Sequence, residues 1–273
     1  MTNAIVAPVS VLPRSAVALA AANPAIWYPL HEATGTTLAC ALGNGPTLTV
    51  GGTSPAATIW ANPGCLTPNG TDHRATAAQQ AYADDVLNLA SLVAGGMLMV
   101  GLELQFAGAN AATTYALWHG RDASTAGYGG WGFGVNGSDQ PTLLFRGQGA
   151  GSNVSGAMGL SIGDTHAAPV QMLLALWIED AVYLRSELRT SATGTSVGAA
   201  QYDLTGLTIP SAALDGLTLA AKRISGASFN SYMAGRLNNV WAQKRTVFDA
   251  TVAEAAWADM QARRREFPGV LRG

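Results

Sequence analysis

The chain has 273 residues, a formal net charge of −2, 48% hydrophobic residues and only 12% charged ones. The apolar share excludes a disordered chain, and the near-neutral balance excludes a general attraction to nucleic acid. No run of about 18 apolar residues occurs, so no membrane-spanning helix is expected.

Residues 1–24 read as an extended arm punctuated by Pro8 and Pro13. Arg14 followed by Ser15–Asn23 has the outline of a leader peptide. The Met1 end lacks a Lys or Arg, however, and the prolines interrupt the apolar run, so an arm that docks on a neighbour or folds back is expected. Residues 25–273 read as one domain. Ala25–Leu30 is a short apolar strand, and Leu48–Val50 alternates before Gly51-Gly52. Leu66–Ala75 reads as strand, Asn-Gly turn and strand. Gly96–Phe106 is the strongest strand signal, with Leu102, Leu104 and Phe106 on one face and Glu103 and Gln105 on the other.

Tyr115–Gly120 and Trp131–Val135 are the next strands, and Asn136-Gly137 turns the latter into Thr142–Arg146. Gly147–Gly163 and Ser191–Gly198 read as loops. Pro169–Trp177 is continuously apolar, which fits a strand covered on both faces, and Ala181–Arg185 pairs back on it after a turn at Glu179-Asp180. Leu217–Ala220 and Phe229–Trp241 supply the last strands. One helix is expected at about 250–266. Thr251 and Glu254 have capping-box spacing, Val252, Ala256, Met260 and Trp257 form its apolar stripe, and Pro268 stops it. Arg263-Arg264-Arg265 at its end suits the helix dipole.

The residues that could carry chemistry are few. His31, His73, His119 and His166 are scattered without ligand spacing, so no metal and no cofactor is expected. Cys40 and Cys65 match no metal motif; a disulfide and two free thiols both remain open. Gly129–Gly134 alternates glycine with aromatics, but no helix follows it to bind phosphate. The functional candidate is a carbohydrate site formed by Trp118, His119, Arg121, Asp122, Tyr128 and Trp131 around one loop. Sugars stack on aromatic faces and hydrogen-bond to planar polar side chains. The preferred alternative makes Trp118 and Trp131 core residues of adjacent strands.

Four stretches together resemble the concanavalin A-like lectin/glucanase, or laminin-G-like, jelly-roll family, as found in bacteriophage structural proteins. They are Trp27–Gly35 with Gly43-Asn44-Gly45, Leu66–Asp72, Met97–Phe106, and Phe229–Trp241 followed by Thr246–Trp257. The resemblance implies an all-β jelly-roll sandwich. Relatives that cut β-glucans carry a Glu-x-Asp-x-(x)-Glu strand, whereas Glu103 here is followed by Gln105. Calcium-binding relatives carry an acid before the Gly-Asn-Gly turn, where this chain has Leu38–Leu42. The resemblance without catalytic acids points to a non-enzymatic structural protein of a bacteriophage virion, either a capsid decoration or a tail or fibre component. Such a protein acts through contacts with other virion proteins and with itself, as a trimer, with a cell-surface glycan as a further ligand. The alternative is a secreted carbohydrate-binding or adhesion module.

Overall fold

The computed structural model describes residues 25–30, 35–43, 45–52, 65–77, 86–108, 112–121, 129–147, 153–158, 169–191, 196–209, 216–225 and 228–266. The predicted arm, residues 1–24, lies outside them. Sixteen strands are present among the described residues: β1 (Ala25–Tyr28), β2 (Thr37–Leu38), β3 (Leu48–Gly51), β4 (Arg74–Ala77), β5 (Met97–Phe106), β6 (Thr114–Gly120), β7 (Gly130–Val135), β8 (Pro141–Arg146), β9 (Asn153–Ala157), β10 (Val170–Glu179), β11 (Tyr183–Thr190), β12 (Ser196–Asp203), β13 (Leu217–Leu219), β14 (Lys222–Ser225), β15 (Ser228–Asn230) and β16 (Gly235–Arg245). A 3₁₀ helix, Leu89–Ala94, precedes β5, and helix α1 spans Ala250–Glu266.

The fold is an all-β jelly-roll sandwich. One sheet has the order β1-β16-β5-β10-β11-β12, the other β2-β3-β4-β13-β6-β7-β8-β9, and all pairings are antiparallel. Between them lies one large core that includes Leu102, Leu104, Phe106, Trp131, Phe133, Phe145, Met172, Leu174 and Leu237. Each fully buried large side chain removes enough apolar surface from water to contribute roughly 1.5–3 kcal/mol. The alternation of Leu102, Leu104 and Phe106 in β5 sets which face turns inward.

The continuous apolar run of β10 has the expected cause. Met172, Leu174 and Leu176 face the core between the sheets. Leu173 and Ala175 face outward into a second layer with Met97, Met99, Trp27 and Trp241, which α1 covers with Ala253, Ala256, Trp257 and Met260. No helix among the described residues is long and apolar enough to cross a membrane.

The structure corrects several sequence-based expectations. The helix cap is Asp249, not Thr251: the Asp249 carboxylate accepts from Thr251 N at 3.0 Å and from the Thr251 hydroxyl at 2.7 Å. An aspartate placed two residues earlier reaches the first free amides of the helix. The segment Leu66–Asn69 does not form a hairpin with the residues after it. Asn69 Oδ1 instead accepts from the amides of Thr71, Asp72 and His73, turning the chain. Leu66 and Asn69 bridge to Leu237 and Ala234 of β16. The Gly/Ser-rich stretch after β8 contains β9, because a strand needs only backbone partners and β8 supplies them. Strand β12 likewise begins at Ser196, inside the second expected loop.

Candidate functional site

The predicted loop cluster is divided by strand alternation. In β6 and β7 the cross-strand partners are Trp118 with Gly132 and His119 with Trp131. Successive residues point to opposite faces, so the two pairs lie on opposite sides of the eight-stranded sheet. Trp131 faces the core, where its indole Nε1 donates to the Leu87 carbonyl at 2.8 Å. His119 lies beside it, with ring centroids 6.5 Å apart. The cavity these two line, with Asn88, Leu89 and Phe145, is about 20 Å³, room for about one water.

Trp118 is on the outer face, fully buried, against Gly132 and edge-on to Tyr115 at 5.2 Å. A bulge in β6 turns both Ala116 and Leu117 inward and so brings Tyr115 and Trp118 to one side. Lys222 of β14 sits over both rings, at 5.7 and 5.9 Å. Arg121 is buried at the end of β6, its amide bonded to the Gly129 carbonyl. Asp122 and Tyr128 lie outside the described residues. The indoles of Trp118 and Trp131 are both buried and present no face on which a sugar could stack.

Exposed aromatic surface occurs elsewhere, on the outer face of the six-stranded sheet. Helix α1 lies over β16, β5 and β10 and leaves β11 and β12 open. On β11 the residues facing out are Tyr183, Arg185, Glu187 and Arg189, alternating with buried Leu184, Ser186, Leu188 and Thr190. Cross-strand register places Trp177, Arg185 and Gln201 in one row and Glu179, Tyr183 and Asp203 in the next. Trp177 is half-buried and packs against Phe248 with ring centroids 4.6 Å apart; Phe248 is 40% exposed. Phe248 is held there by its amide, which donates to the Gly95 carbonyl at 2.8 Å.

The polar groups on this face are held in fixed positions. Arg185 Nε donates to Glu179 Oε2 at 2.7 Å, and its Nη1 donates to Gln201 Oε1. Arg189 pairs with Glu187 at 2.6 Å and with Glu254 of α1 at 3.7 Å. The Thr205 hydroxyl and amide hold the exposed Asp203 carboxyl below the ordinary carboxylate range. The result is an aromatic platform bordered by guanidinium, carboxylate and amide groups, the mixture that polyhydroxylated ligands use. The signal in sequence is the alternation Tyr183-x-Arg185-x-Glu187-x-Arg189, which extends the returning strand expected at Ala181–Arg185.

At the other end of this sheet a groove of about 360 Å³ is lined by Thr67, Asn69, Gln105 and Arg236, among others. Beside it Glu103 is buried, and Asn238 Nδ2 donates to its Oε2 at 3.3 Å. Cys40 and Cys65 are free buried thiols. Among the described residues no group of three or more His, Cys, Asp or Glu side chains is placed to hold a metal.

No family model matches this sequence, and no curated protein matches it. Solved structures with a similar fold include the carbohydrate-binding module CBM40 of the Ruminococcus gnavus IT-sialidase, 12% identical, with a TM-score of 0.42, covering 61% of this chain and 85% of that one. Tailspike protein 2 of an Escherichia coli O157:H7 bacteriophage is 13% identical with a TM-score of 0.44, covering 72% of this chain and 26% of that one. A Trypanosoma rangeli sialidase is 11% identical with a TM-score of 0.43, covering 84% of this chain and 31% of that one. Likenesses of this size assign neither a family nor a function.

Proposed function

We propose that this chain is a non-catalytic, carbohydrate-binding jelly roll of the concanavalin A-like type, serving as a structural component of a bacteriophage particle. The observation that carries the glycan reading is the partly exposed Trp177–Phe248 pair bordered by the Arg185, Glu179 and Gln201 side chains. An aromatic face left in water beside a row of planar hydrogen-bonding groups is costly for stability alone, and it suits a pyranose ring. The non-catalytic reading is supported by three of the carboxylates described on this sheet. Glu103 is buried and bonded to Asn238, and Glu179 and Glu187 are each committed to an arginine.

The virion setting rests on composition and on a second apolar feature. A chain with only 12% charged residues has few charges to keep its surface in water and is suited to coverage by partners, and Val93 and Val247 add exposed aliphatic area. The proposed partners are other virion proteins and copies of this chain, as a trimer. A secreted binding module is the alternative setting.

Binding to immobilised glycans tests the site. Trp177→Ala and Phe248→Ala should each weaken binding at least about tenfold, corresponding to ~1.4 kcal/mol. Glycan binding that persists in both variants would refute the assignment. Quantitative mass spectrometry of purified particles tests the setting. Hundreds of copies per particle place the protein on the capsid, a few to a few dozen place it in the tail or fibres, and absence leaves the secreted module.

A further inference from the structure

We infer that the glycan recognised on this face is uncharged: the ladder accepts neutral pyranoses and rejects those carrying a carboxylate or sulfate near the stacked ring. This inference rests on the reading of the face as a glycan site and names its ligand class.

The charges that face the platform can be followed element by element. Strand β10 contributes Glu179, β11 contributes Arg185, Glu187 and Arg189, β12 contributes Asp203, and α1 contributes Glu254. Among the described residues these are four carboxylates and two guanidiniums, a net charge of −2. Arg245 lies in the same row as Trp177, beyond Met97, but Asp249 is close enough to feel its charge, so that pair adds nothing to the balance. Asp180, exposed in the turn between β10 and β11, adds to the negative excess. By strand spacing the patch is on the order of 20 Å by 10 Å, so a bound sugar sits within about one Debye length of several of these groups.

Both guanidiniums are already engaged. Arg185 spans Glu179 and Gln201, and Arg189 spans Glu187 and Glu254. An anionic sugar could recruit Arg185 only by displacing Glu179, whose released charge would remain beside the ligand. The carboxylates impose a second selection: ionised, they only accept hydrogen bonds. Sugar hydroxyls supply the protons they need, whereas a carboxylate or sulfate ester supplies none. Two uncompensated charges at about 8 Å in water weaken binding of a monoanion about fivefold at low salt.

Calorimetry with matched ligands tests this. The neutral probes are trisaccharides of β-linked galactose, glucose and N-acetylglucosamine, and the anionic probes are the same sugars bearing one uronic acid or one sulfate. A neutral probe should bind with little salt dependence. Its anionic counterpart should bind about fivefold more weakly at 10 mM salt, the gap closing at 500 mM and in the double variant Glu179→Gln/Glu187→Gln. Equal or tighter binding of the anionic probe at 10 mM, still lost in Phe248→Ala, would overturn the charge selection and leave the glycan site standing. Binding indifferent to both Trp177→Ala and Phe248→Ala, or no binding of any probe, would overturn the site and this inference together. Phe248 lies in the exposed segment between β16 and α1, so its substitution keeps the test open if Trp177→Ala does not fold.

Discussion

Gly101 should be intolerant of even one methyl group, although its backbone is ordinary extended strand. It lies opposite Trp241 in the β5–β16 register, and the indole rests on it. A Cβ at Gly101 would fall inside the indole, more than an ångström closer to Nε1 and Cε2 than van der Waals contact allows, and 2.7 Å from Cζ2. The ring has little room to retreat, because Trp241 is packed in one layer with Trp27, Met99 and Trp257 of α1. Overpacking of this kind costs about 1–3 kcal/mol, and the relief of glycine's backbone entropy offsets roughly 0.5–1 kcal/mol of it. For a chain of this size Gly101→Ala should lower Tm by roughly 2–8 °C. A double-mutant cycle followed by circular dichroism in heat and in urea isolates the cause. Trp241→Ala alone should cost about 3–5 kcal/mol, but in that background Gly101→Ala should be neutral or stabilising, since the new methyl enters vacated space. An equal cost of Gly101→Ala in both backgrounds would refute the seating of Trp241 on Gly101. The consequence reaches the proposed binding face, because Trp241 supports the helix that supplies Glu254 to Arg189.

Tyr202 is buried between the sheets, and burial pushes its phenol up to about 12 despite a hydrogen bond with Ser186. The native state therefore keeps a proton that the unfolded chain releases near 10. Stability should be fully present below pH 10 and fall by roughly 2–3 kcal/mol as pH rises to about 12, a decline absent in Tyr202→Phe. Asp249 has the opposite sign: Thr251 holds its carboxyl below the ordinary value of 3.8. Its contribution to the helix start is present above that value and lost as pH falls through the lowered one, so melts from pH 6 to pH 2 should converge with those of Asp249→Asn; parallel curves would remove the cap from the account. Trp131→Phe keeps a ring in the core but removes the 2.8 Å indole hydrogen bond to the Leu87 carbonyl, which should cost about 0.5–1.5 kcal/mol in urea unfolding.

What the sequence made legible was local. The alternation of β5, the unbroken apolar run of β10, the turn at Asn136 and the helix at Ala250–Glu266 all follow from side-chain period and turn chemistry within a dozen residues. What it concealed was which face each side chain takes when two strands meet. Trp118 and Trp131 are near in sequence and on adjacent strands, yet a one-residue offset in pairing places them on opposite sides of a sheet. The weak strands were hidden for a different reason. Strand β9, Asn-Val-Ser-Gly-Ala, has little propensity of its own and exists because β8 offers it a free edge.

The proposed binding face was hidden by range. Strand β11 announces its alternation plainly, but whether its polar side meets water depends on where a helix some 70 residues later comes to rest. The buried residues Ala253, Ala256, Trp257 and Met260 make a short stripe, and it covers outward residues on β1, β16, β5 and β10. The remaining strands must then be polar outward to stay in water, which is enough to explain Arg185, Glu187 and Arg189. It does not explain an aromatic pair at the border of the covered area, with Phe248 held outward by its bond to Gly95. Solubility would favour a polar residue there. A ligand with one apolar face and a rim of hydroxyls accounts for both the pair and the ladder beside it.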